Sequence, residues 1–203
     1  FEQDGEVVVD SICYENFPAI DHHLDFREIE FSALPPGQLW RFQLNLKAQK
    51  AQRQLLEPRC CEFPYIHPER MGQPYEQVYL AVAHQAEGNA PLQGILKLDL
   101  SSGARELWSA APRGFVGEPV FVPRDRNNVD PPLNCETTLA TQEAEGWVLT
   151  LVYDAAHHRT DVVILAADRL GQGPIARLHL KHHIPYGLHG SFTPEYFGPL
   201  LEK

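Results

Sequence analysis

The stretch that decides the fold is Gly94-Ile95-Leu96-Lys97-Leu98-Asp99-Leu100-Ser101-Ser102-Gly103-Ala104-Arg105-Glu106-Leu107-Trp108. Two short runs of strand-forming residues flank Ser-Ser-Gly, three small turn residues, which is the pattern of an antiparallel hairpin. The pattern recurs at Trp147–Ala155, where His157-His158-Arg159 turns the chain into Thr160–Ala166. Further strand-like runs come at Val7–Tyr14, Phe26–Phe31, Gln38–Leu46, Cys61–Ile66, Gln77–Ala83, Gly117–Pro123 and Ala176–Leu180. That makes about eleven short strands at even spacing, and nothing alternates with them as helices would in a parallel α/β fold. The class is all-β, and the rhythm leaves sandwich, barrel and propeller open. Leu46–Leu56 has the composition of a helix without its apolar spacing. The span 124–143 is rich in Asn, Asp and Pro, lacks periodicity and reads as a surface loop or insertion.

Composition narrows the function. Of 203 residues, 43% are hydrophobic and 22% charged, enough to build a core. Lys plus Arg number 17 against 27 Asp plus Glu, a net charge of −10, which argues against nucleic acid as a partner. No run of apolar residues is long enough to span a membrane. Cys13, Cys60, Cys61 and Cys135 show no C-x-x-C spacing, so reduced thiols in a cytoplasmic setting are the reading. The chain starts at Phe1 without a Met and enters a strand at once, as a chain met partway through would.

There are 10 histidines against one Met. His22-His23, His157-His158 and His182-His183 are adjacent pairs beside turns, and neighbours on a strand point to opposite faces, so a pair cannot readily offer both rings to one metal. His67, His84 and His179 lack partners at ligand spacing. His189 differs: it stands in Ile184-Pro185-Tyr186-Gly187-Leu188-His189-Gly190-Ser191-Phe192, flanked by glycines that permit close backbone approach and unusual dihedrals. It is either a core histidine or a ring placed at a crowded centre. Glu62, in Cys60-Cys61-Glu62-Phe63-Pro64, and Glu118, in Gly117-Glu118-Pro119-Val120-Phe121, are lone acids inside apolar strands. Each could form a structural ion pair, with Arg59 or Arg113, or accept the N–H of a metal-bound imidazole.

Four blocks carry a resemblance to a known family. Phe1-Glu2 with Gly5-Glu6-Val7-Val8-Val9-Asp10 resembles the segment after a His-x-x-Asn-Ala motif. Cys61-Glu62-Phe63-Pro64-Tyr65-Ile66, Gly72-Gln73-Pro74-Tyr75 and Val78-Tyr79 form the second block. Gly117-Glu118-Pro119-Val120-Phe121-Val122-Pro123-Arg124 is the third, and Pro185-Tyr186-Gly187-Leu188-His189-Gly190 the fourth. In order and spacing these resemble the carotenoid cleavage oxygenases, which include a retinoid isomerohydrolase.

The resemblance implies a seven-bladed β-propeller, with residues 1–203 supplying roughly its last three blades. It implies one Fe(II) held by four histidines and no carboxylate, with O2 as co-substrate. His189 falls in the place of the last ligand, and Glu62 and Glu118 in the places of two of three glutamates that hold the iron-bound imidazoles. Phe63 and Tyr14 match positions lining an apolar substrate tunnel, against the plainer reading of both as core aromatics. The activity implied is oxidative cleavage of a polyene double bond in an apocarotenoid to aldehydes such as retinal. The alternatives are a retinoid isomerase on the same scaffold and a non-catalytic binding propeller. The other three iron ligands would lie upstream of Phe1, so the 203-residue chain alone is expected neither to hold iron tightly nor to turn over. Any peripheral contact of this cytoplasmic protein with a membrane would also come from the upstream part.

Overall fold

The computed structural model describes residues 1–16, 23, 25, 28, 30–89, 91–124, 143–195 and 198. Its regular structure is antiparallel sheet in three meanders. The first runs β1 (Glu2–Gln3), β2 (Glu6–Cys13), β3 (Gln38–Asn45) and β4 (Lys50–Glu57), and the second β5 (Cys61–Tyr65), β6 (Gln77–Ala83), β7 (Leu92–Asp99) and β8 (Arg105–Ser109). In the third, β9 (Gly114–Val116) and β10 (Val120–Pro123) both pair with β11 (Gly146–Asp154), which is followed by β12 (Arg159–Ala166) and β13 (Pro174–His179). The first two meanders each pair four strands in chain order; in the third, β9 and β10 lie along β11 one after the other, so each meander is a blade four strands wide.

The middle blade explains the packing. Every residue of β6 is buried. Tyr79 and Ala81 join a core with Val116, Phe121, Val148, Val152, Val163 and Leu165 of the third blade. Val78, Leu80 and Val82, pointing the other way, join Leu39 of the first. A strand whose two faces enter two cores loses polar–apolar alternation, and β6 reads as the apolar run Val-Tyr-Leu-Ala-Val-Ala for that reason.

The hairpin at Ser101–Gly103 forms as its residues dictate. Asp99 Oδ1 accepts from the backbone N–H and hydroxyl of both Ser101 and Ser102 at 2.7–3.0 Å, and Gly103 takes φ +73°. Leu46–Leu56 is not a helix: the chain turns at residues 46–49, and Lys50–Glu57 pairs along β3. Pairing with a neighbouring strand overrides local helix propensity, and an edge strand facing solvent carries a polar, charged sequence. β1 is joined to β2 by Asp4-Gly5, both at positive φ. The strand expected at Phe26–Phe31 lies partly outside the described residues. Among those described, Glu28 donates its N–H to Asp25 and Phe31 opens a short 3-10 turn, so none is strand.

The loop expected at 124–143 lies, from 125 to 142, outside the described residues. Its two anchors are firm. Arg124 N–H reaches Glu145 O at 3.1 Å, and buried Glu143 accepts from the N–H of Glu76 and of Gln77 at 2.8 Å each. The segment thus connects two paired strands, β10 and β11.

Candidate metal centre

The expected strand Gly117–Pro123 is broken, and the break carries Glu118. Val116 pairs with Val152 and Val120 with Leu149, so three residues, Gly117–Pro119, stand opposite two. Pro119 has no N–H to donate to the ladder, and the extra residue makes a β-bulge that re-aims the side chain before it. The first strand of the middle blade is broken in the same way. Glu62 pairs with Ala81 and Tyr65 with Tyr79, so Phe63 and Pro64 face Leu80 alone. Phe63 takes φ +55°, a left-handed conformation that costs a non-glycine residue about 1–3 kcal/mol.

Glu118 holds the closing segment. Its Oε1 lies 3.3 Å from His189 Nδ1, and its Oε2 accepts the Gly190 N–H at 2.6 Å. Nδ1 must carry the proton to meet a carboxylate, which leaves the Nε2 lone pair for a metal. The His189 side chain is 78% exposed against 14% for Glu118, so His189 is not a core histidine. The edge of the Phe63 ring meets the imidazole at 5.9 Å and 89°. Phe63 also packs against the core between the second and third blades, so it is both a core aromatic and a neighbour of the ring. Burial, then the Glu118 charge, raises the Tyr65 phenol above its ordinary value, which places a protonated phenol near the same carboxylate.

Gly187 and Gly190 play a smaller part than their positions in the sequence suggest. Neither takes a positive φ, and a Cβ on Gly187 would meet nothing within 4 Å. What matters at Gly190 is its N–H. The segment is seated by Thr160, whose hydroxyl accepts the Ile184 N–H at 2.9 Å, and by Tyr186 against Tyr153. Burial, then the nearby Tyr153, pushes the Tyr186 phenol up to about 12. Between segment and sheet lies a cavity of about 270 Å³, lined by Leu149, Leu151, Val162, Leu188 and Phe192 with Glu118 and His189 at its polar end.

Glu62 has a different partner. The Tyr14 O–H donates to its Oε1. Arg59 does not pair with it: the Arg59 guanidinium donates to the carbonyls of Ala83 and His84. Nor does Glu118 pair with Arg113; its ionic neighbour is His189. Several of the other described histidines have structural contacts. His67 accepts from the Glu69 N–H and lies against Phe121, His157 pairs with Asp154, and His179 pairs with buried Asp161. Among the described residues no group of three or more His, Cys, Asp or Glu could hold a metal. A metal bound at His189 would therefore need donors beyond the described residues, with His189 as one ligand of several.

The family model described as retinal pigment epithelial membrane protein matches residues 1–194. The chain belongs to this family of carotenoid oxygenases. It is 48% identical over 193 residues to apocarotenoid-15,15'-oxygenase of Synechocystis, covering 95% of this chain and 37% of that protein. It is 26% identical over 199 residues to a probable carotenoid cleavage dioxygenase 4 of Arabidopsis thaliana, covering 96% of this chain and 30% of that protein. A solved structure of cobalt-substituted Synechocystis apocarotenoid oxygenase matches with a TM-score of 0.84 and 48% identity, over 95% of this chain and 38% of that one. The three meanders are therefore propeller blades, and they do not close a ring within this chain. The chain spans about a third of the length of each of these proteins. Tyr14 as a hydrogen-bond donor, Tyr65 and the Gly190 N–H were missed in the sequence. Tyr14 stands four residues beyond the first motif block and Tyr65 within the second, but nothing local says which distant carboxylate either phenol meets, and a backbone N–H carries no signal at all.

Proposed function

We propose that the protein carrying this chain is a non-haem Fe(II)-dependent dioxygenase that cleaves a polyene double bond of an apocarotenoid to two aldehydes, one of them such as retinal. In this reading residues 1–203 are the C-terminal portion of one seven-bladed propeller. The observation that carries it is the contact of His189 Nδ1 with Glu118, which prepares an imidazole as a neutral ligand at an open edge. The names of the relatives supply the substrate class. Bound at His189 with ligands from elsewhere in the protein, Fe(II) would supply the redox chemistry by which O2 reacts with the double bond.

The residues of this chain bind and orient. Glu118 fixes the tautomer of His189, and its negative charge offsets that of a metal held by neutral rings. Glu62 is aimed by an equivalent bulge to accept from an imidazole outside this chain. Phe63 shields one side of the His189 ring from water. Phe63 and Tyr14 border the path of an extended, lipophilic substrate. Both atoms of O2 enter the two carbonyls that replace the double bond. A cytoplasmic setting suits Cys13, Cys60 and Cys61, which form no disulfide among the described residues. Among the described residues no helix is long and apolar enough to cross a membrane.

Incubating the full-length, iron-loaded protein with an apocarotenal under oxygen should yield shorter aldehydes with matching O2 uptake. Geometric isomerisation without O2 uptake would establish the isomerase reading, and tight binding with no product the non-catalytic one. Either result overturns the proposal.

A further inference from the structure

Glu118 shows what a carboxylate needs in order to hold an imidazole. One of its oxygens is fixed by a donor of the protein, the Gly190 N–H, and the other is left for His189 Nδ1. Glu62 has the same layout with one position open. Its Oε1 is taken by the Tyr14 O–H, and among the described residues no donor is recorded at its other oxygen. We propose that Tyr14 is a positioning residue for Glu62: its hydroxyl fixes one carboxylate oxygen and so presents the other to an imidazole of the iron site. This rests on the reading of the site as a metal centre and gives Tyr14 a task that a tunnel wall does not require, since a wall needs only the ring.

A second observation supports it independently. Tyr14 is seated by Gly37, where a Cβ would lie 2.9 Å from both Cζ and the hydroxyl of Tyr14 and 2.8 Å from Cys61 O. The Gly37 carbonyl in turn accepts the Cys61 N–H at 2.9 Å, one residue before Glu62. A missing side chain thus lets the phenol lie against the strand it serves. The phenol stays protonated, because burial and then its bond to Glu62 raise it above its ordinary value, so it can only donate to the carboxylate. The Tyr14 side chain is only partly buried, at 38% exposure, and packing alone does not account for its placement.

The test uses Co(II), titrated into the metal-free full-length protein and followed by its visible absorption. Wild type is compared with Tyr14→Phe, Glu62→Gln and the double variant, and circular dichroism monitors the fold. Tyr14→Phe keeps the ring and removes only the hydroxyl. The expected result is a loss of about tenfold in Co(II) affinity with the fold unchanged, and no further loss when the change is added to Glu62→Gln. Wild-type affinity in Tyr14→Phe, with or without a change in the KM for an apocarotenal, would overturn the inference and leave the metal centre standing. A wild-type protein that takes up no Co(II) or iron would overturn the metal centre itself and the inference with it.

Discussion

Glu118 and Glu62 are aimed by the same local device and hold different things. Each sits on the first strand of a blade where a proline and one extra residue break the ladder. Glu118 reaches 71 residues along the chain to His189, whereas Glu62 reaches 48 residues back to Tyr14. A bulge decides where a carboxylate points. What it grips is decided by which distant segment the fold brings to that edge. The third blade brings its own closing segment, with a ring and an amide ready. At the middle blade the first blade brings a phenol, and among the described residues no donor meets the other oxygen of Glu62.

The difference sets an order of effects. In the full-length protein Glu118→Gln should weaken metal affinity most, up to about 100-fold, because one change disturbs both the ring and the Gly190 amide. Equilibrium titration with Fe(II) under anaerobic conditions measures it, and an unchanged affinity would break the comparison at its stronger side. Glu62→Gln should cost about tenfold by the same titration, since only one of its oxygens is held within this chain. A larger loss there than at Glu118 would reverse the ranking and place the main support of the site in the middle blade.

A third carboxylate serves as the control. Asp99 is gripped as firmly as either glutamate, but only by its own turn and by Gln77. Burial alone would raise its pKa, and the hydrogen bonds of Ser102, Ser101 and Gln77 more than reverse that, so it is held below the ordinary carboxylate range. A depressed pKa contributes stability that is complete above the unfolded value of about 4 and is lost as pH falls below it. After allowance for solvent screening the contribution is about 1 kcal/mol. Urea unfolding at pH 7 and pH 3 should show that loss in wild type and less of it in Asp99→Asn, with metal affinity at pH 7 the same in both. If Asp99→Asn weakened metal binding, service to an imidazole would not be what sets the two glutamates apart.

Much of this fold could be read in the sequence wherever local chemistry decides. Ser101-Ser102-Gly103 marks the turn it forms, His157-His158 lies in a turn at 155–158 while Arg159 already pairs with Asp154, and the spacing of apolar runs marks an all-β chain. Reading failed where a distant partner overrules local preference. Lys50–Glu57 has helical composition and becomes a strand because β3 lies beside it. Gly117–Pro123 reads as an apolar strand around one acid, yet it breaks at Glu118 because Pro119 cannot serve the ladder. Within the site, His189, Glu62 and Glu118 stood out as unusual residues, and only a family resemblance chose between the structural and functional readings of each. The glycines beside His189 suggested strained backbone and are not strained. The group that holds Glu62 could not be found in sequence, because 48 residues and a glycine at position 37 bring it there.

The central claim is that His189, held by Glu118, is one ligand of an iron site shared with the rest of the protein. Its most direct test is the metal content of the full-length protein, as wild type and as His189→Ala, by plasma emission after anaerobic loading and desalting. The account predicts about one iron per chain in wild type and about a tenth of that or less in the variant, with circular dichroism unchanged. Stoichiometric iron retained in His189→Ala would contradict it.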